Sequence, residues 1–342
     1  MKAIVFDKHG GPEVLQYREV ARPTVKEDEV LIAVKACALN HLDIWIRNGL
    51  PGIQISLPHI LGCESAGVVC EVGRKVKSVK VGDDVLIVPG ISCGRCKFCK
   101  KNRDSLCPEF NIVGFRTDGG YAEFVKAPAR NAIKISDQLS YAEWAATPLC
   151  FLTAWHMLFT RANLQKGEKV LIHAAGSGVG SAAIQLARWK KAFVITTAGS
   201  DGKLKKAKKL GAQEVINYTQ KDIAQEVKRI THGKGVDVVL EHIGPQTWAQ
   251  SLASLGRGGR LVTCGATSGP QVTLDLRFCF SRELSISGCY MGSRKELDQV
   301  IKLVKSGKVK PIVDTVVPLV AAAQAQAKME NRQFFGKLVL EP

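Results

Sequence analysis

No run of about 18 consecutive apolar residues occurs in the 342-residue sequence, so it offers no membrane-spanning helix. An apolar leader core is missing too, because Met1-Lys2-Ala3-Ile4-Val5-Phe6 runs straight into Asp7. Both absences point to a cytoplasmic protein. The paired cysteine pattern of a disulfide scaffold is also lacking. Four of the 11 cysteines form one tight cluster and the others stand singly, as in Val68-Val69-Cys70, which fits reduced thiols. Acidic residues are short, 31 against 48 Lys and Arg, for a net charge of +17. That excess admits a non-catalytic nucleotide-sensing or RNA-binding protein. The basic residues are dispersed, however, with their densest clusters at 95–103 and 203–209, which describes a solvated surface and makes nucleic acid an unexpected partner.

With 46% hydrophobic residues, a chain of 342 can bury a large core and fits two domains. Up to about residue 150, short apolar runs such as Val30-Leu31-Ile32-Ala33-Val34 are broken by Gly, Pro and Asp, the texture of a strand-rich barrel. From Lys169 strands and helices alternate: Val170 to His173, Ser181 to Lys190, Phe193 to Thr197, Lys203 to Leu210, Glu214 to Asn217, Asp222 to Ile230, Val236 to Glu241 and Arg260 to Cys264. This spacing predicts an α/β fold with a doubly wound parallel sheet. An amphipathic helix over Lys295 to Val304 and short strands ending at Phe334 to Leu340 follow, and the tail is expected to rejoin the first domain.

Cys93-x2-Cys96-x2-Cys99-x7-Cys107 places four thiolates on a Gly-punctuated loop, close enough for one tetrahedral zinc. Four thiolates leave no open coordination position, so such a zinc is structural. Arg95, Lys97, Lys100, Lys101 and Arg103 offset the surplus negative charge, which explains part of the local basicity.

Gly176-Ser177-Gly178-Val179-Gly180 follows the apolar strand Lys169 to Ala175 and opens a helix at Ser181, the setting for a dinucleotide pyrophosphate on helix N-terminal N–H groups. The glycine run departs from G-x-G-x-x-G, because Ser181 stands at the last position. Ala198 stands where an NAD enzyme places an acid on the ribose hydroxyls. NADP(H) is therefore expected over NAD(H), with Gly199, Ser200 and Lys203 near its 2′-phosphate, although Asp201 opposes that charge.

These features, with Gly62-Cys63-Glu64-Ser65-Ala66-Gly67 through Gly73, Val81-Gly82-Asp83-Asp84-Val85, Gly119-Gly120-Tyr121-Ala122-Glu123 and the segment Ala174 to Gln185, resemble the medium-chain dehydrogenase/reductase family over essentially the whole chain. The resemblance implies a GroES-like β-rich barrel domain over 1–150 and 291–342, holding the zinc lobe 93–107, and a Rossmann domain over 151–290. It also implies homo-oligomers, dimer or tetramer, with Ser285-Ile286-Ser287-Gly288 as a candidate contact.

In the zinc alcohol dehydrogenases of that family the marker glycine is followed by His and Glu. Here Cys63 replaces the His, and Glu64 is retained. The family's other N-terminal ligand, a Cys, aligns with Asn40, three residues after Cys37, and Cys150 is the candidate third ligand. Asn40 is instead what the quinone oxidoreductases of the family carry. The implied activity is hydride transfer from NADP(H) to a quinone or enone-type carbonyl without a catalytic zinc, and the rival is a zinc-dependent alcohol or aldehyde dehydrogenase. On this reading Asn40 donates to the carbonyl, Asp43 organises its loop, Cys63, Glu64 and Cys150 line the site, and Thr153, Gly265 and Ala266 approach the nicotinamide.

Overall fold

The computed structural model describes all residues, 1–342. The chain forms two compact units, Met1–Leu149 with Pro311–Pro342, and Cys150–Lys310. No helix is long and apolar enough to cross a membrane.

The first unit is built on the strand Glu29–Ala38, whose Val30, Leu31 and Ile32 are all buried, as befits a strand enclosed on both faces. It pairs antiparallel with Glu64–Val72 along one edge. Its other edge is shared: Glu29 to Ala33 pair with Phe124–Pro128, and Cys37 and Ala38 pair with the C-terminal strand Lys337–Glu341. Ala132–Lys134, Asp84–Ile87 and Val313–Pro318 extend the sheet to seven strands. Register shifts at Leu31/Ile32 and Val34/Ala36 bend the central strand, so that two partners can share one edge. The tail therefore returns to the first unit as a paired strand.

The second unit carries six parallel strands in the order Glu214–Asn217, Phe193–Ala198, Lys169–Ile172, Val236–Glu241, Leu255–Thr263, Ser285–Gly288. The first strand in sequence lies at the centre, the next two build outward, and the fourth returns to its other side. This arrangement creates a topological switch point between Lys169–Ile172 and Val236–Glu241, where α/β sheets bind ligands. Leu171, Ile195, Ile216, Val239 and Leu261 from the strands pack with Ile223, Val227, Trp248 and Leu252 from the helices Ile223–Ile230 and Pro245–Ser254.

Three departures from the sequence expectation have local causes. The return to the first unit falls at Pro311 rather than 291, because the helix Arg294–Lys305 belongs to the second unit. There Glu296 accepts from His156 at 2.9 Å, and the Gln185 side chain bonds Lys310 in both directions. The fifth strand starts at Leu255, five residues before the expected Arg260, its first half hidden in sequence by Gly256, Gly258 and Gly259. Short strands were expected throughout the tail, yet Ala322–Glu330 is an alanine-rich helix.

Candidate functional site

The four Sγ atoms of Cys93, Cys96, Cys99 and Cys107 lie within 4.8 Å of one another. Cys93 and Cys99 are 3.9 Å apart, and Cys96 and Cys99 3.5 Å. A tetrahedral zinc with bonds of about 2.3 Å requires sulfurs about 3.8 Å apart, so the donor set fits one ion with little movement. Backbone N–H groups of Cys93, Cys96 and Cys99 point at the sulfurs of Cys107, Cys93 and Cys96 at 3.4 to 3.5 Å, which favours the thiolate forms. The N–H groups of Arg95 and Cys96 pull the Cys93 thiol down to about 6, while burial pushes Cys107 up to about 11. Arg95, Lys97, Lys100, Lys101 and Arg103 are all exposed around the lobe.

A second polar cluster is buried in the first unit. Gly62 turns the chain at φ +104°, and a Cβ there would lie 2.7 Å from Cys37 Sγ and 2.5 Å from the Tyr121 ring. The next two residues, Cys63 and Glu64, are thereby pressed toward the loop ahead of the helix His41–Asn48, where Asn40 is the N-cap. Asp43 closes that helix start, its Oδ2 accepting from the Asn40 N–H at 2.7 Å and the Tyr121 hydroxyl at 3.1 Å, and its Oδ1 from the Gly62 N–H at 3.3 Å. Burial raises the Asp43 carboxyl to about 6 against these bonds.

Lys337, 5% exposed at the start of the C-terminal strand, inserts its ammonium between Glu64 and Asn40. Nζ donates to Glu64 Oε2 at 2.5 Å and to Asn40 Oδ1 at 2.6 Å. An ammonium only donates, so the amide orientation of Asn40 is determined: Oδ1 faces Lys337, and Nδ2 donates to Glu64 Oε2 at 2.8 Å, Cys63 Sγ at 3.2 Å and the Ala38 carbonyl at 3.2 Å. The other Glu64 oxygen accepts the Leu149 N–H. The expectation that Asn40 donates to a substrate carbonyl is therefore revised, because its amide hydrogens are turned to protein acceptors. Burial also raises the Cys63 thiol well above its ordinary range, which keeps it neutral. An amide, which does not ionise, and a carboxylate already paired with an ammonium are a poor donor set for a second zinc.

In the second unit the residues expected to meet the dinucleotide lie on loops at the carboxyl edge of the sheet. Ser177 caps the helix Gly178–Trp189, its Oγ accepting from the Gly180 N–H at 2.8 Å. A Cβ on Gly180 would stand 2.3 Å from the Ala174 carbonyl, so this position closes the turn and tolerates no side chain. Ser181 fits in place of the motif glycine by donating to the Gly178 carbonyl at 3.0 Å. Ser177, Gly178 and Val179 remain half-exposed. Gly199 and Ser200 follow the second strand, and Ser200 caps the helix Asp201–Lys209, which carries Lys203 in its first turn. Gly265 and Ala266 follow Leu255–Thr263, with Gly265 against the His242 carbonyl. Thr153 and Cys150 are both buried on the helix Pro148–Trp155.

Residues 26–137 match the model of the alcohol dehydrogenase GroES-like domain, and residues 178–306 that of the zinc-binding dehydrogenases. An alcohol dehydrogenase of Geobacillus stearothermophilus is 33% identical over 100% of this chain and 99% of its own length. A quinone oxidoreductase of Sus scrofa is 32% identical over 99% of this chain and 97% of its own. The chain belongs to the medium-chain dehydrogenase/reductase family. Among solved structures, an NAD-dependent alcohol dehydrogenase superposes with a TM-score of 0.97 at 45% identity over 100% of both chains. A quinone oxidoreductase of Pseudomonas syringae pv. Tomato DC3000 superposes at 0.85 and 32% identity over 100% and 99%. The fold is thus a GroES-like domain plus a Rossmann-type parallel sheet, and the protein is an oxidoreductase of this family. Its four-cysteine lobe and family membership support zinc and a nicotinamide cofactor.

Two residues of this dehydrogenase/reductase escaped sequence reasoning. Lys337 lies 273 residues from Glu64 in sequence, and nothing in Gly336-Lys337-Leu338 marks it as more than a strand lysine. Tyr218 is 41% exposed, and its hydroxyl lies 2.6 Å from the Cβ position of Gly199. Its exposed aromatic ring beside a strand-end glycine is recognisable only once the sheet order places Asn217 against Ala198.

Proposed function

We propose that the protein is an NADP(H)-dependent reductase that transfers hydride to a quinone or enone-type carbonyl, with one structural zinc and no metal in the Asn40, Cys63 and Glu64 pocket. The observation that carries this reading is the Lys337 ammonium, which takes both Glu64 and Asn40 where a second ion would need them as ligands. Cys93, Cys96, Cys99 and Cys107 hold the structural zinc, which pins their loop.

The bound nicotinamide supplies the hydride. The chain's own part is to bind and orient. Gly178 and Val179 offer helix N-terminal N–H groups to phosphate oxygens. Ala198 is buried at the end of its strand, without the acid that would grip ribose hydroxyls. Asp201, the nearby acid that argued against a 2′-phosphate, accepts from the Asn217 amide at 2.9 Å. Ser200, Lys203 and Tyr218 favour the phosphorylated ribose. In the first unit Lys337, Glu64 and Asn40 form one buried ion-paired cluster that fixes the start of the helix His41–Asn48. Proton delivery falls to water.

A second reading is an NAD-linked, zinc-dependent alcohol dehydrogenase, favoured by the 45% identical structure bearing that cofactor's name. Metal analysis of chelator-washed protein, titration with NADPH and NADH, and a panel of quinones and enones separate the two. One zinc per chain, tighter NADPH binding and NADPH oxidation support the first. Two zinc ions and alcohol-dependent NADH formation support the second.

The small-molecule enzyme is also proposed to assemble with copies of itself. Ser285–Gly288 is the outermost strand of its sheet, and Leu276 and Phe280, on the short helix that precedes it in sequence, are 68% and 70% exposed. An unpaired edge strand is a template for pairing with a second copy, and exposed large apolar side chains mark surface suited to a partner.

A further inference from the structure

Beneath the carboxyl edge of the parallel sheet, at its switch point, lies a chain of polar side chains that the proposed hydride transfer does not use. His173, Thr197, Glu241 and Ser251 are each 0% exposed. They come from three adjacent strands or their ends and from the helix Pro245–Ser254.

The direction of every hydrogen bond in this chain can be deduced. Burial opposes the charge on Glu241, yet the nearby His173 ring and the bonds from Ser251, Ile243 and Gly244 hold the carboxyl below its ordinary range; burial pushes His173 down against the pull of Glu241, and both ring nitrogens face uncharged hydroxyls, which favours the neutral ring. The Glu241 carboxylate accepts the Ile243 N–H at 2.6 Å, the Gly244 N–H at 3.1 Å, the Thr247 hydroxyl at 2.8 Å and the Ser251 hydroxyl at 2.5 Å. Ser251 has given its proton to Glu241, so its oxygen accepts from His173 Nε2 at 2.8 Å. A neutral ring with its proton on Nε2 has a bare Nδ1, which accepts the Thr197 hydroxyl at 3.3 Å. The Thr197 oxygen in turn accepts the Ala174 N–H at 3.3 Å.

The two ends of this chain are backbone. One is Ala174, a non-glycine residue at φ +48° whose carbonyl abuts Gly180 in the phosphate turn. The other is the Ile243 to Gly244 turn, with Gly244 at φ +98°, whose Ile243 carbonyl accepts the Ser268 hydroxyl at 2.7 Å just beyond Gly265 and Ala266. An apolar core of equal volume would pack as well, but it would leave the Ala174 N–H without an acceptor and would not fix the turns against each other.

We propose that His173 is a positioning residue for the dinucleotide: as a neutral Nε2–H imidazole it links Glu241 and Ser251 to Thr197 in one directional chain that holds the Ala174–Gly180 and Ile243–Gly244 turns in register for binding. The inference rests on the reading of those turns as the nucleotide site, and its test keeps the two apart.

The variant pair Thr197→Val and Thr197→Ser, in the full-length zinc-loaded protein, respectively removes the hydroxyl at nearly constant volume and keeps it at the loss of one buried methyl. Fluorescence titration with NADPH is expected to show about tenfold weaker binding in Thr197→Val and wild-type affinity in Thr197→Ser. In turnover the valine variant raises the KM for NADPH while kcat holds, a split that loss of folded protein does not produce. Ser251→Ala, which cuts the chain at its other end, gives the same split. In the 15N-labelled wild type, the His173 ring is expected to be protonated at Nε2 alone between about pH 6 and 8. Undiminished affinity in Thr197→Val, equal losses in the Val and Ser variants, or a wild-type proton on Nδ1 overturns the proposal. A wild type that binds neither NADPH nor NADH overturns the underlying site reading, and the inference falls with it.

Discussion

Replacing Lys337 with methionine keeps the length of the side chain and removes its charge. Glu64 is 0% exposed and would retain only the Asn40 amide and the Leu149 N–H, leaving a buried carboxylate without its cation. Breaking a buried pair from one side costs about 3 to 5 kcal/mol, because the abandoned charge keeps its full desolvation penalty. For a unit of this size the unfolding entropy is about 0.4 kcal/mol per kelvin, so the first unit should melt about 8 to 12 °C lower in Lys337→Met. Differential scanning calorimetry of the zinc-loaded chain reads that shift. The double variant Lys337→Met with Glu64→Gln removes both charges and leaves an amide that still accepts from Asn40, so it should recover more than half of the loss. A shift below about 2 °C in the single variant, or a double variant that melts lower than the single one, would refute the buried ion-pair account.

Other consequences are as open to measurement. Cys107→Ser should release the zinc from chelator-washed protein and lower the melting temperature of the lobe-bearing unit, as metal analysis and calorimetry would read, while NADPH binding persists. Ala198→Asp should shift the affinity ratio toward NADH by at least tenfold, since a carboxylate there repels a 2′-phosphate and accepts from ribose hydroxyls; an unchanged ratio counts against the cofactor assignment. Burial raises Asp43 from an ordinary 3.8 to about 6, so the folded state binds its proton more tightly than the unfolded one. Its contribution therefore favours folding below about pH 4, declines by about 3 kcal/mol as pH rises to about 6, and is flat beyond. Asp43→Asn should flatten that part of the stability profile, and an unchanged slope in urea titrations would be contrary to it. Phe280→Glu should shift the sedimentation coefficient toward a monomer if the sheet edge is a self-association surface.

Where function depends on residues close in sequence, the chain could be read directly. The cysteine spacing 93, 96, 99 and 107 confines four sulfurs by chain length alone, and the structure brings them within 4.8 Å. The glycine turn after Lys169–Ile172 was visible because the apolar strand, the turn and the helix follow one another without interruption. Even the substitution at Ser181 had a local remedy, a hydrogen bond to the carbonyl three residues back. Alternating strands and helices likewise implied a parallel sheet, since each unit must bury its apolar face on the next.

Tertiary structure alone decided what occupies the inner pocket. Asn40, Glu64 and Lys337 come from three segments joined only through the pairing of Lys337–Glu341 and Glu64–Val72 with the two edges of Glu29–Ala38. A lysine in a short strand carries no periodic signal for burial, and its charge became meaningful only when opposed by Glu64. The same holds for His173, Ser251 and Glu241, unremarkable in sequence and joined only by the return of the fourth strand beside the first. Local spacing thus determined the cysteine lobe, the glycine turn and the layers of the fold, because those depend on geometry within a few residues. The cation beside Glu64 and the polar chain through His173 depend on desolvation and long-range pairing, which only the folded chain supplies.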